Sequence, residues 1–229
     1  MKSSFLLLGL ISSQLVGVGA TFVTWGDSLT AGYGGTPYPT QLEALTGITT
    51  LNRGVNGETS TQIAARFAAE PALFGERVVI WSGRNNLYSH EGVQADIASM
   101  VSRLTTTDYL VLGVIGRHNE PIGSLLYDLY TAINLDLAVT YGSRFIDIQT
   151  ILVNAYDPLS PAEVSDFNTH LIPDRLEYGD DLHLNTAGYA IVARTVADYF
   201  ASVPEPAATT GIVAIGCALA ALGLRRRLT

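Results

Sequence analysis

Cysteine and lysine are nearly missing from this chain of 229 residues. The single cysteine is Cys217, close to the C-terminus, and the single lysine is Lys2. A body without cysteine has no disulfide framework and no cysteine nucleophile, so its stability comes from its core. Between residues 21 and 203 every basic residue is an arginine, and nine arginines stand against twenty acidic residues, a balance near −11. That charge argues against nucleic acid as a partner. There is no internal repeat and no low-complexity linker before Pro204. His90, His118 and His170 show no metal-ligand spacing and read as surface or satisfied residues.

The two ends do not read as parts of a fold. Lys2 is followed by the apolar run 5–10, then by 11–18, and by the small residues Gly17, Gly19 and Ala20. A basic start, an apolar centre and a small-residue exit predict a signal peptide over 1–20, cut by signal peptidase after Ala20. At the other end Pro204, Glu205 and Pro206 precede an uncharged apolar stretch, residues 207–224, and then Arg225, Arg226 and Arg227. The stretch just reaches the length of a membrane-spanning helix, and the arginine cluster behind it reads as cytoplasmic. The tail 204–229 resembles a PEP-CTERM sorting signal. The resemblance implies a bacterial protein exported across the inner membrane, transiently anchored, and released by an exosortase-type enzyme to the cell surface or matrix.

What remains, 21–203, is one domain of about 180 residues, ample for a core. Apolar strand-like runs alternate along it with helix-like segments. Strands are expected at 22–25, 48–51, 77–81, 109–115 and 144–148, and helices at 38–45, 61–69, 93–104, 125–141 and 186–200. Residues 154–179 read as a long loop. Strands that are apolar throughout and alternate with helices indicate a parallel sheet covered on both faces. In such sheets ligands bind outside the carboxyl ends of the strands.

Four chemically loaded segments fall there. Ser28, in "GDSL", follows the first strand, and Gly57, in "NRGVNGETS", follows the second. Asn85, in "GRNN", follows the third, and "GDDLHLNTAGY" places Asp180 and His183 three residues apart before the last helix. A serine hydroxyl needs a base within hydrogen-bond reach. Histidine takes that proton, and a carboxylate on its other ring nitrogen fixes the tautomer. An oxyanion needs donors already in place. The backbone N–H groups of Ser28 and Gly57 and the side-chain amide of Asn85 would supply three. Taken locally, Asp27 or Ser28 reads equally well as a helix cap.

Together the four segments resemble the SGNH, or GDSL-type, serine hydrolases. The resemblance spans 21–203. It implies a flavodoxin-like three-layer α/β/α fold of about five parallel strands, and ester or thioester hydrolysis without metal or cofactor. It places the nucleophile on Ser28, the base on His183 and the acid on Asp180. The oxyanion donors fall on Ser28, Gly57 rather than Gly54, and Asn85. One position departs from the family pattern: the third block ordinarily ends Gly-x-Asn-Asp, and here Asn86 stands last.

The substrate is less legible. Arg53, Arg84, Arg117 and Arg175 follow strands or precede the Asp-His block, so they either form a cationic mouth for an anionic ester or pair with local acids such as Glu58 and Glu120. Tyr156, Phe167, His170 and Tyr178 in 154–179 suit a binding wall for a sugar better than for a long acyl chain. The expectation is an exported serine esterase, for example one that O-deacetylates a polysaccharide. A lipase or thioesterase, and a catalytically silent polysaccharide-binding protein, are the alternatives.

Overall fold

The computed structural model describes residues 21–202. The expected leader, 1–20, and the tail from 204 lie outside the described residues. Among those described, no helix is long and apolar enough to cross a membrane.

The chain runs β1 (Phe22–Gly26), α1 (Ser28–Ala31), α2 (Tyr38–Thr46), β2 (Thr50–Gly54), α3 (Ser60–Ala68), β3 (Arg77–Trp81) and α4 (His90–Arg103). It continues through β4 (Tyr109–Leu112), α5 (Leu125–Tyr141), β5 (Phe145–Ile146), α6 (Ile148–Val153), α7 (Pro161–Asn168) and α8 (Thr186–Ser202). The five strands form one parallel sheet in the order β2-β1-β3-β4-β5.

Successive side chains on a strand point to opposite faces, so a strand apolar at every position feeds two cores. Val78 and Ile80 pack with Ile63, Phe67, Val93, Ile97 and Ile133 from α3, α4 and α5. Val79 and Trp81, their neighbours on β3, pack on the other face with Tyr38, Leu42, Ile148, Leu152, Tyr189 and Val192 from α2, α6 and α8. Parallel strands joined by helices, with helices on both faces, make the expected three-layer α/β/α fold.

The boundaries differ from the local pattern where tertiary pairing overrides it. β2 sits at Thr50–Gly54 rather than 48–51. It is the sheet edge, so its polar Asn52 and Arg53 are tolerated in the ladder. β4 ends at Leu112 rather than 115, because its partner β5 is only two residues long. The presumed loop 154–179 contains α7, entered by Ser160, whose hydroxyl accepts from the N–H of Glu163, with Pro161 in its first turn.

The strand order reverses between β1 and β3: the chain leaves β1 for β2 on one side and returns to β3 on the other. A crevice opens at the carboxyl ends of strands that part in this way. Ser28 follows one of them and Asn85 the other.

Candidate active site

Asp27 and Ser28 turn the end of β1 into α1. Asp27 is the cap, its Oδ1 accepting the N–H of Leu29 at 2.9 Å, and Ser28 is the first helical residue. Local sequence leaves the cap open between the two, and the fold assigns it to Asp27. The Ser28 hydroxyl is then free for other partners, and its N–H stands at a helix start, where no intrahelical acceptor exists.

His183 joins the two ends of the domain. Its Nε2 lies 2.7 Å from Ser28 Oγ, a residue 155 positions away, and its Nδ1 lies 2.6 Å from Asp180 Oδ2. Asp180 is held by its own loop, since its Oδ1 accepts the N–H of His183 at 2.8 Å and that of Leu182 at 3.2 Å. Burial would raise its carboxyl, but these backbone donors and the His183 side chain outweigh burial and hold it below the ordinary range. The Asp180–His183 spacing thus lets one turn of chain make three hydrogen bonds. Asp181, between them, takes a left-handed conformation at φ 63° that aims the turn.

On the opposite side stand the oxyanion candidates. A Cβ on Gly54 would come within 2.1 Å of the Ala31 nitrogen, so Gly54 is the point where β2 packs against α1. Gly57 has φ 78° and open space where a Cβ would stand. The Gly54 N–H is already engaged, donating to Asn52 Oδ1 at 2.9 Å. Asn85 Nδ2 donates to the carbonyl of Glu58 at 2.8 Å and, longer, to Asp27 Oδ2 at 3.3 Å. The 3.3 Å contact is the weaker of the two.

What holds these donors is invisible in local sequence. Arg66, from α3, donates through Nε to both carboxylate oxygens of Glu58 at 2.8 and 2.9 Å, fixing the loop that carries Gly57. Asp27 is almost fully buried, and desolvation pushes its carboxyl up to about 7, against the pull of the Leu29 N–H and the Arg84 charge. Asn86, the departure from the family pattern, is engaged by Ser60 at the start of α3. Its Oδ1 accepts the Ser60 N–H at 3.1 Å and its Nδ2 donates to Ser60 Oγ at 2.8 Å, while Ser60 Oγ donates to Asp96 at 2.6 Å. Ser60 has a single hydroxyl proton and Asp96 takes it. An amide at 86 therefore fits where a second carboxylate would compete.

The four arginines expected at a cationic mouth all face carboxylates. Arg84 is buried and grips Glu120 with both terminal nitrogens, at 2.7 and 2.8 Å, while also donating to the Ile115 carbonyl. Arg53 pairs with Glu70 at 2.9 Å and Arg175 with Glu163 at 3.0 Å. Arg117, 3.9 Å from Glu120, is half-exposed and keeps the loosest partner. Each of the four guanidiniums thus has a carboxylate at 3.9 Å or nearer in this acidic domain.

The expected aromatic wall is also redistributed. Tyr156 and Phe167 stack on each other at 4.3 Å, and His170 packs against Tyr127. Of the four, Tyr178 alone reaches the site, beside Tyr33, whose ring lies 4.6 Å from that of His183. Both tyrosines are about half exposed. On the Asn85 side a groove of about 410 Å³ runs off between Tyr88, Arg117 and Asn119.

The model of the GDSL-like lipase/acylhydrolase family matches residues 24–191. The chain belongs to that family. It is a GDSL-like hydrolase of ester bonds. No curated protein sequence matches it. Among solved structures it is similar to a lipolytic protein of the G-D-S-L family from Desulfitobacterium hafniense DCB-2, at 18% identity and TM-score 0.57, covering 79% of this chain and 97% of that one. It is also similar to a lipase/acylhydrolase from Enterococcus faecalis, at 17% identity and TM-score 0.56, covering 78% and 96%. A third is Axe2, an acetylxylan esterase from Geobacillus stearothermophilus, at 17% identity and TM-score 0.58, covering 81% and 95%. At these identities the likenesses establish the shared fold, which the GDSL-like blocks at the strand ends then particularise.

Proposed function

We propose that this GDSL-like chain is an exported serine esterase that removes acyl groups, acetyl foremost, from a polysaccharide. The observation that carries the catalytic part is the double bridge of His183, 2.7 Å to Ser28 Oγ and 2.6 Å to Asp180. In this reading Ser28 Oγ attacks the acyl carbon as His183 Nε2 takes its proton. The tetrahedral oxyanion is held by the N–H groups of Ser28 and Gly57 and by Asn85 Nδ2, which leaves Asp27 to do so. His183 returns the proton to the leaving alcohol, and water, activated by the same imidazole, releases the acid. Asp180 stays ionised throughout and stabilises the imidazolium.

The exposed pair Tyr33 and Tyr178 supports a sugar as the leaving group, since aromatic faces beside the base suit the C–H face of a pyranose ring. The groove at Tyr88, Arg117 and Asn119 is open and carries polar groups among apolar ones, which suits a chain of sugars. Axe2, with the same fold, acts as an acetylxylan esterase. Export rests on the sequence of 1–20 and of 204–229, with signal peptidase and an exosortase-type enzyme as the processing partners.

Hydrolysis of p-nitrophenyl acetate by the chain and by Ser28→Ala tests the catalytic reading, and the absence of Ser28-dependent turnover on any ester would overturn it. A panel of acetylated polysaccharides against long-chain esters tests the substrate. Preference for long chains favours a lipase or thioesterase.

A further inference from the structure

A second cluster of chemistry lies behind the Asp-His loop, outside the crevice. His118, in the loop after β4, faces the 3-10 turn Asp174–Leu176 and the residue that follows it. Its Nδ1 lies 3.2 Å from Asp174 Oδ1, 3.3 Å from Glu177 Oε2 and 3.3 Å from the carbonyl of Ile172. Asp166 lies at the other ring nitrogen, 3.9 Å from Nε2. Sequence alone makes His118 a surface or satisfied residue. It has more partners than that reading supposes, because one ring nitrogen carries at most one proton and here meets three oxygen acceptors.

The distances are informative. Charge-assisted hydrogen bonds from an imidazolium to a carboxylate run about 2.7–2.9 Å. The three contacts to Nδ1 are all longer. Donor atoms sharing a tetrahedral zinc ion, at bond lengths of about 2.0–2.2 Å, stand about 3.3–3.5 Å apart. An independent feature points the same way. The Glu177 side chain is 3% exposed and its Oε2 faces His118, yet its Oε1 has no hydrogen-bond partner. A carboxylate buried in that state either holds a proton or is stabilised by a cation beside it.

We infer that His118 Nδ1, Asp174, Glu177 and the Ile172 carbonyl form a binding site for a divalent transition metal of the zinc type. One nitrogen and three oxygens suit zinc, and imidazole disfavours magnesium and calcium. The metal takes the place of the Nδ1 proton, which passes to solvent, so binding weakens on acidification. Asp166 stands where an outer carboxylate orients the ring through Nε2. Asp174, largely exposed, is the entry side. The site is structural in placement. It ties the turn before the Asp-His loop to the loop after β4, whose His118 N–H already donates to the Asp181 carbonyl at 2.8 Å.

The test is calorimetric titration of the full chain, stripped with chelator, with Zn²⁺, and with Mg²⁺ and Ca²⁺ in parallel, alongside thermal melting. One saturable zinc equivalent per chain, tighter than Mg²⁺ and Ca²⁺ and accompanied by a raised melting temperature, is expected. His118→Ala should abolish it. Asp174→Asn, on an exposed side chain that does not threaten folding, should weaken it by at least about tenfold, the scale even an outer partner carries. His183→Ala should leave it intact. Absence of zinc binding overturns the site. So does binding that survives both His118→Ala and Asp174→Asn, is lost in His183→Ala, or is tighter for Ca²⁺ or Mg²⁺.

Discussion

Two aspartates flank Ser28, and the fold treats them oppositely. Asp27 lies at the floor of the crevice, where burial pushes its carboxyl up to about 7. Asp180 lies at the rim, where burial is outweighed by backbone donors and by His183, and its carboxyl is held down. The neighbours differ in the same sense. The floor is built from long-range pairs, Arg84 with Glu120 and Asn86 with Ser60 and Asp96. The rim is built from one short turn plus two exposed tyrosines. The floor therefore couples catalysis to stability, while the rim can be altered with little consequence for the fold.

The largest effect expected is at the rim. Asp180→Asn should cost about 10⁴ in kcat, because the amide turns the imidazole to the wrong tautomer. Its melting temperature should fall only by the modest contribution of one partly exposed carboxylate, and a large fall would show that the rim is structural after all. Next comes Arg84→Ala on the floor. It leaves buried Glu120 with only the Arg117 N–H and the looser Arg117 guanidinium, and removing one partner of a buried pair costs about 3–5 kcal/mol. Denaturant unfolding should show that loss. Any rise in KM ought then to be alike for charged and neutral esters, contrary to a role in a cationic mouth.

The pH dependence sharpens the contrast. In the fold Asp27 holds its proton up to about 7, against 3.8 for an unperturbed aspartate. The folded state thus binds more protons in that window, and stability falls as pH rises across it. In Asp27→Asn that slope should vanish, leaving the variant more stable than the parent above pH 7. The margin should be a few kcal/mol, since a carboxyl that stays protonated while its unfolded counterpart ionises costs about 1.4 kcal/mol for each pH step. Asp180 works in the other sense. The stability it contributes is present above 3.8 and is lost as pH falls through its lowered value. Melting curves from pH 3 to 8 distinguish the two.

Smaller still is Asn86→Asp, which sets two carboxylates on one Ser60 hydroxyl. It should cost about 1–3 kcal/mol, and Asp96→Asn in the same chain should restore most of it. Failure of that rescue would mean that Asn86 acts elsewhere. The least effect on the fold is expected from Tyr33→Ala at the rim. It should raise KM severalfold for an acetylated polysaccharide and leave that for p-nitrophenyl acetate nearly unchanged.

Much of this arrangement is legible in the sequence, for reasons of range. Strands apolar at every position announce a sheet covered on both faces, and a rule about strand ends then locates Ser28, Gly57 and Asn85. Asp180 and His183 can be paired because their bonds span three residues. The pairings of Arg84, Arg53 and Arg175 are not legible. Each has several acids within plausible reach, and the choice depends on which loops the sheet brings together. Asp27 reads only as a cap, since its burial and its contact with Asn85 depend on β3. His118 looks isolated because its partners lie 48 to 59 positions away.

By itself, then, the sequence determined the layered architecture and the residue types that carry the chemistry, since apolar patterning and short turns act over a few residues. The tertiary structure alone decided that Ser28 meets His183 across 155 positions, that the arginines are paired, that Asp27 is buried and Asp180 is not, and that His118 faces three oxygens. Burial and long-range pairing set protonation and charge, and neither exists until the strands have assembled.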